Sequence, residues 1–240
     1  MYGWRARIGS ITPNPTEHFT YEFYRLAPPG VVCIPACLWA FAGTREELSK
    51  QREGLLPVVE GLARAEVDYI IVGGAPMVFL AGLGEDKRLL AEIKKITPIP
   101  ATTDITCTME AFDRLGVKKI AIATPLTNEV NRALKAYLEN EGYQVLAIKN
   151  LEMRGVVNIM RLPLETSYKL AREAYRAAPD AEAIYLPCAV WSSLENIDAM
   201  ERDFGIPVVT NFVSKYWAAM ETLKIRQTIK GYGKLLETLA

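Results

Sequence analysis

Short apolar runs alternate with longer amphipathic stretches along the whole chain. The apolar runs are rich in β-branched residues, which is typical of strands, whereas the amphipathic stretches repeat hydrophobic positions with a helical period. Because the strands are apolar on both faces, the pattern predicts parallel sheets covered by helices, that is, an α/β fold. The predicted strands are RIGSIT, VVCIPACL, DYIIVGG, PIPATT, KKIAIAT, YQVLAIK, AEAIYLP and IPVVT.

The predicted helices lie between these strands. Pro57 predicts a kink or break in the long stretch from Glu46 to Val67. Gly116 is a predicted C-terminal helix cap, and a helix that starts near Lys215 is expected to close the chain. The other predicted helices are EDKRLLAEIKKI, TCTMEAFDRLG, NEVNRALKAYLENEG, PLETSYKLAREAYRAA and ENIDAMERDFG.

The same motifs occur twice, in the same order. RIGSITPN resembles KKIAIATPL, VVCIPA resembles QVLAIK, VDYIIVGGAP resembles AEAIYLPCAV, and ITPIPATTD resembles DFGIPVVTN. We therefore expect two similar α/β units, residues 1–115 and 116–240, related by a pseudo-twofold axis. Intertwined halves of one compact domain are the alternative. Ligands of open parallel sheets bind at the carboxyl ends of strands, so the sequence predicts an active site in the cleft between the units.

Charge and hydropathy narrow the range of partners. Half of the 240 residues are hydrophobic, and 28 basic side chains balance 28 acidic ones. Zero net charge argues against a nucleic-acid partner or an acidic membrane surface. No apolar run is long enough to cross a bilayer, and MYGWRARIGS lacks the features of a signal peptide. We expect a cytoplasmic protein; a homo-oligomer stays open.

Cysteine and histidine usage limits the chemistry further. The chain has four cysteines, Cys33, Cys37, Cys107 and Cys188, too few for a disulfide framework. Its single histidine, His18, argues against a two-histidine metal site or a Ser-His-Asp triad. We therefore expect no metal.

The repeat draws attention to Cys188. Free cysteine is among the most buried residue types, so a core position is the ordinary explanation. When the third strands of the two units are aligned, however, Cys188 falls at a strand end facing the predicted cleft, opposite Gly74. Gly74 is either a plain turn glycine or the position where a symmetric site would hold a second thiol.

These motifs resemble the aspartate/glutamate/hydantoin racemase superfamily, and most of all its arylmalonate decarboxylase and maleate cis-trans isomerase branch. The resemblance runs from Ile8 to Leu236. It is carried by RIGSITPN, GVKKIAIATPLTNEVNRALKAYLENEGY, YLPCAVWSSLENIDAMERDFGIPVVT, YW at Tyr216 and KGYGKLLE.

The resemblance implies chemistry at a carbanion or enediolate beside a carboxyl group, on a small carboxylic acid and without a cofactor. Racemases and maleate isomerases of this superfamily use two cysteines, whereas the decarboxylases use one. Gly74 and Cys188 match the single-thiol pattern, with Cys188 as the catalytic proton donor. A thiol of ordinary pKa is protonated at neutral pH and suits that role. We expect the backbone amides after Cys188 to open a helix and stabilise an oxyanion.

One departure bears on the activity. Decarboxylases of this family hold the enediolate with hydroxyl side chains where this chain has Ala75, Pro76 and Leu126. Asn14 and Ser192 are the preferred substitutes. Isomerases and racemases of the superfamily use an asparagine near the position of Asn14 to bind a carboxylate. The remaining expected substrate-binding residues are Thr127, Ala189, Val156 and Ile159, with Thr16, Asn128 and Ser193 as further polar candidates.

Two apolar segments are candidates for the wall of the predicted cleft. CLWAF, from Cys37, and RGVVNIM, from Arg154, are either cavity walls or plain core. A decarboxylase is the favoured function. The alternatives are a maleate isomerase-like or racemase-like enzyme on a small carboxylic acid, or a non-catalytic carboxylate-binding protein. A cysteine hydrolase would need His18 beside Cys188.

Overall fold

The computed structural model describes residues 1–15 and 17–240, so Thr16 lies outside the described residues. Within this part of the chain the strands form two four-stranded, all-parallel sheets. The strands of the first sheet are β1 Ala6–Thr12, β2 Val31–Cys37, β3 Tyr69–Val72 and β4 Ala101–Thr103. Those of the second are β5 Lys119–Thr124, β6 Gln144–Asn150, β7 Ala183–Leu186 and β8 Val208–Thr210.

The two sheets have the same topology. The first has the order β2-β1-β3-β4 and the second β6-β5-β7-β8, so each strand of the first half has a counterpart in the second. The predicted fold class, two similar parallel α/β units, is confirmed. The motif repeat in the sequence therefore corresponds to a repeat in the structure.

Helices connect and cover the strands. In the first half they are α1 Glu17–Leu26, α2 Arg45–Arg64, α3 Ala75–Phe79, α4 Glu85–Ile96 and α5 Asp104–Leu115. In the second half they are α6 Asn128–Asn140, α7 Val156–Met160, α8 Glu165–Ala177, α9 Ile197–Phe204, α10 Asn211–Thr222 and α11 Lys234–Glu237. No helix in residues 1–15 and 17–240 is both long enough and apolar enough to span a membrane.

The course of two helices differs clearly from the prediction. Helix α2 continues through Pro57 rather than breaking there. Helix α10 begins at Asn211, earlier than expected, because the Thr210 hydroxyl accepts a hydrogen bond from the Val213 amide and caps it. It does not close the chain, since α11 follows. As predicted, Gly116 caps α5 in a left-handed conformation.

The strand ends bring the predicted site residues together. Strands β3 and β7 are buried at every position. Each is followed at once by a turn, Gly73–Gly74 after β3 and Pro187–Cys188 after β7. Gly74 has a φ of +89°, and an ideal Cβ on it would lie 2.4 Å from Pro13 Cγ. A Cβ at this position would therefore be strained by the positive φ and would need Pro13 to shift.

Candidate active site

A cavity of about 710 Å³ is lined by residues of both halves of the chain. Most of the predicted substrate-binding residues line it, together with the predicted catalytic cysteine. They are Asn14, Gly74, Ala75, Pro76, Leu126, Thr127, Val156, Ile159, Cys188 and Ala189. The carboxyl ends of corresponding strands from both sheets thus lie around one cavity.

Ser192 does not line this cavity. The chain turns tightly after β7, where the Trp191 amide donates to the Cys188 carbonyl at 3.3 Å. This turn carries Ser192 and Ser193 past the cavity wall. The helix expected directly after Cys188 is also absent from this stretch, since a short 3-10 turn begins at Leu194 and α9 only at Ile197. Asn128 and His18 do not line the cavity either.

Only one of the two predicted apolar walls lines the cavity. Arg154, Gly155, Val156 and Ile159 of the RGVVNIM segment line it. The CLWAF segment does not, and the side chains of Trp39 and Phe41 are 64% and 48% exposed. Its link to the site is indirect, since the Phe41 carbonyl accepts a hydrogen bond from the Val156 amide at 3.0 Å.

Cys188 is the one cysteine that lines the cavity among the described residues. The residue as a whole is half-buried, and burial of its thiol, together with the charge of Asp104, raises the pKa of the thiol to about 12. The Val190 backbone amide and the charge of Lys215 act in the opposite direction and lower that pKa. A pKa this high leaves the thiol protonated at neutral pH, which is the form a proton donor requires.

Asp104 is a buried carboxylate that lines the cavity beside Gly74. Its Oδ2 accepts hydrogen bonds from the Gly74 amide at 2.6 Å and the Ala75 amide at 3.1 Å. Asn211 Nδ2 lies 3.5 Å from the same oxygen. Asp104 and Asn211 both line the cavity and both are buried.

Lys215 is a cavity residue that the sequence analysis did not single out. Its side chain is fully buried, and Nζ lies 3.1 Å from Asp104 Oδ1. The aligned motifs TTD and VTN already placed Asp104 and Asn211 at equivalent strand ends. Lys215 lies one helical turn after Asn211 on α10. This spacing was the only feature of the sequence that could have placed Lys215 near the site, and no hydrophobic pattern indicated that its side chain is buried.

Two of the predicted polar residues that line the cavity, Asn14 and Thr127, have hydrogen-bonding groups left unused. Asn14 Nδ2 donates to the Ala40 carbonyl at 3.3 Å, and this amide nitrogen has a second hydrogen. Thr127 caps α6, but its side chain makes no capping hydrogen bond. Charged residues also line the cavity and are exposed to solvent: Arg45, Glu46, Glu129 and Arg154.

No three His, Cys, Asp or Glu side chains converge as a metal site in the part of the chain that the structure describes.

Sequence comparison matches residues 52–236 to a family model described as arylmalonate decarboxylase. The arylmalonate decarboxylase of Bordetella bronchiseptica is 30% identical, over 96% of this chain and 96% of that protein. The chain belongs to the arylmalonate decarboxylase family. A maleate isomerase of Nocardia farcinica is a more distant relative, 24% identical over 96% of this chain and 95% of that protein.

Solved structures agree with this family assignment. A liganded arylmalonate decarboxylase mutant, in which a glycine is replaced by cysteine and a cysteine by serine, superposes with a TM-score of 0.89. It is 26% identical and the match covers 96% of this chain and 98% of that one. A maleate cis-trans isomerase mutant of Nocardia farcinica with a covalently bound succinylcysteine intermediate shares the fold, with a TM-score of 0.91 at 20% identity. That match covers 97% of this chain and 98% of that one.

The cavity wall differs from the one that the family resemblance led us to expect. Ala75, Pro76 and Leu126 all line it, so the three positions where hydroxyl side chains were expected present no side-chain donor. Any side-chain donor to a bound carboxylate must come from elsewhere in the cavity.

Proposed function

We propose that this chain is a cofactor-independent decarboxylase of the arylmalonate type, in which Cys188 protonates one face of an enediolate. One observation carries the proposal. A single protonated thiol lines the cavity in the described residues, and the equivalent strand end of the other half holds Gly74. One thiol suffices for this reaction because the group that leaves is carbon dioxide and not a proton.

The proposed reaction needs no oxidant or second substrate. The bond between the α-carbon and one carboxylate of a malonate breaks, and its electron pair passes into the other carboxylate to give the enediolate and carbon dioxide. The Cys188 thiol then donates its proton to the α-carbon. Water returns a proton to the resulting thiolate, which restores the starting state.

The cavity suits a substrate with one apolar group and two carboxylates. Leu48, Leu80, Val156 and Ile159 provide apolar contacts for an aryl or alkyl group. Burying a carboxylate without a partner is costly. An apolar wall therefore favours loss of the carboxylate that lies against it, while polar residues elsewhere retain the other.

Maleate isomerase-like chemistry is the second candidate, supported by the maleate isomerase relatives. A succinylcysteine, as carried by one related isomerase, requires a thiol to add to a double bond, and thiolate is the nucleophilic form. The raised pKa of Cys188 disfavours its thiolate. Gly74 also leaves the cavity without a second cysteine at the equivalent position. Both observations favour the decarboxylase.

The test is a substrate panel of disubstituted malonates, maleate and α-aryl carboxylic acids. Carbon dioxide release, fumarate formation and deuterium uptake at the α-carbon would be followed with the parent, Cys188→Ala and Cys37→Ala. Cys37 is half-buried and lies outside the cavity, so its variant is the matched control. We expect carbon dioxide release that Cys188→Ala abolishes and Cys37→Ala retains.

Each other outcome has a definite meaning. Near-normal turnover by Cys188→Ala would contradict the proposed role of the thiol. Conversion of maleate to fumarate without decarboxylation would establish the second candidate. Saturable carboxylate binding with no turnover of any member would establish a carboxylate-binding protein.

A further inference from the structure

Lys215 places a buried positive charge at the wall of the cavity. It lies on α10, and its side chain has no exposed surface. Its Nζ is 3.1 Å from Asp104 Oδ1 and 4.8 Å from the centre of the Phe19 ring. Burying an ammonium group is costly unless it has compensating partners, so its place at a ligand cavity needs an explanation.

The ion pair with Asp104 leaves the ammonium group incompletely satisfied. The two groups are within ion-pair distance but are not aligned for a hydrogen bond, and Nζ has no hydrogen-bond partner among the described residues. An ammonium group carries three donors. Asp104 meanwhile accepts bonds from the Gly74 and Ala75 amides through its other oxygen. The donors of Lys215 therefore lack hydrogen-bond partners among the described residues at the wall of the cavity.

The ammonium group lies beside the glycine turn that corresponds to the cysteine turn. An ideal Cβ on Gly73 would lie 3.7 Å from Lys215 Nζ, in ordinary contact. By the repeat, Gly73–Gly74 is the counterpart of Pro187–Cys188. The ammonium group therefore lies beside the end of β3, whereas the thiol lies at the end of β7, and both positions line the same cavity. The charges of Asp104 and Lys215 both act on the thiol.

Glu22 is a second acidic group whose charge interacts with Lys215. Glu22 is buried near it, and burial together with the charge of Glu195 raises the pKa of Glu22 to about 8. Glu22 is thus mostly protonated at pH 7. The arginines that line the cavity, Arg45 and Arg154, are exposed to water, where charge interactions are screened.

We propose that Lys215 binds the carboxylate that the substrate retains and stabilises the enediolate formed from it. This role rests on the proposed decarboxylase function and deepens it. It supplies the donor that Ala75, Pro76 and Leu126 do not. A fixed cation in a water-excluded site interacts strongly with a developing oxyanion. The site should accordingly prefer an anionic group at this position over a neutral amide or ester.

The experiment compares binding of phenylacetate with binding of its neutral analogue phenylacetamide, by titration calorimetry on the full chain. Neither ligand can lose carbon dioxide as a malonate does. The decisive variant is the double substitution Asp104→Asn with Lys215→Met, which removes both buried charges together and leaves no unpaired ion. Lys169→Met, an exposed lysine on α8, is the matched control.

We expect the parent and Lys169→Met to bind phenylacetate roughly ten- to a hundredfold more tightly than phenylacetamide, the range for a charged hydrogen bond. The double variant should lose this preference and bind phenylacetamide as the parent does. A folded double variant that keeps the preference would overturn the role of Lys215 and leave the ion pair purely structural. A parent without the preference would overturn it too.

Asp104→Asn alone provides a second test that does not depend on the double variant folding. It keeps the ammonium group and removes the neighbouring negative charge, so phenylacetate should bind several-fold more tightly and phenylacetamide equally well. Equal or weaker phenylacetate binding would overturn the proposal. These titrations are independent of turnover. If carboxylate binding depends on Lys215 but the protein decarboxylates no substrate, the proposed reaction is wrong and the role of Lys215 in binding stands.

Discussion

Asp104 and Asn211 touch across the two halves of the chain, with Asn211 Nδ2 3.5 Å from Asp104 Oδ2. Each begins a helix, and each follows a threonine whose hydroxyl caps that helix. They are therefore equivalent residues of the two halves that contact each other. The two halves nevertheless differ in chemistry at equivalent positions, because Gly74 corresponds to Cys188 and Asp104 corresponds to Asn211.

Asn14 and Thr127 are expected to contribute to substrate binding and Ser192 is not. Asn14 and Thr127 line the cavity, whereas the turn after Cys188 carries Ser192 past it. Loss of a hydrogen bond to a charged group costs about 1.5–3 kcal/mol. Asn14→Ala and Thr127→Ala should each lower kcat/KM roughly ten- to a hundredfold, measured on the best substrate of the panel. Ser192→Ala is the control and should match the parent; a loss there equal to that of Asn14→Ala would contradict the cavity described above.

Glu22 should make the protein less stable as the pH rises. Burial and the charge of Glu195 raise the pKa of Glu22 to about 8, while the Lys215 charge, the Leu194 backbone and the Arg25 charge lower it. The folded state therefore holds a proton that the unfolded state releases at lower pH. Stability from this group is present below the unfolded pKa and is lost as the pH rises towards about 8, by about 1.4 kcal/mol for each unit between the two pKa values.

Urea unfolding of the parent and Glu22→Gln at acidic, neutral and mildly alkaline pH measures this effect. Glutamine has no proton to release, so the variant should be the more stable of the two at about pH 8 and show a smaller pH dependence. A parent whose unfolding free energy is constant from about pH 5 to pH 8 would contradict the assigned pKa.

Much of the fold was predictable because strands and helices follow local patterns, and the repeat then fixed which strand ends correspond. Gly74 and Cys188 could be matched in this way without a structure. Lys215 could not, because its burial depends on how α10 packs beside Asp104 from the other half. That Ser192 lies outside the cavity could not be predicted either, since it depends on the tight turn from Cys188 to Trp191.

Gly74 should tolerate an added Cβ less well than Gly116. Both have positive φ angles, +89° and +69°, so alanine costs about 1–2 kcal/mol at either position. A Cβ on Gly116 meets nothing within 4 Å, whereas one on Gly74 would lie 2.4 Å from Pro13 Cγ. Gly74→Ala should therefore lower the free energy of unfolding by about 1–3 kcal/mol more than Gly116→Ala, as overpacking does. Equal urea midpoints for the two variants would show that Pro13 moves aside freely.

The most direct test of the account is decarboxylation of a prochiral disubstituted malonate in deuterium oxide, with the product analysed by mass spectrometry and chiral chromatography. A single protonated thiol on one side of the cavity predicts one enantiomer carrying one deuterium at the α-carbon. It also predicts no further exchange on prolonged incubation and no product from Cys188→Ala. A racemic product, or continued α-exchange of the product, would show a second acid or base on the opposite face and contradict the single-thiol mechanism.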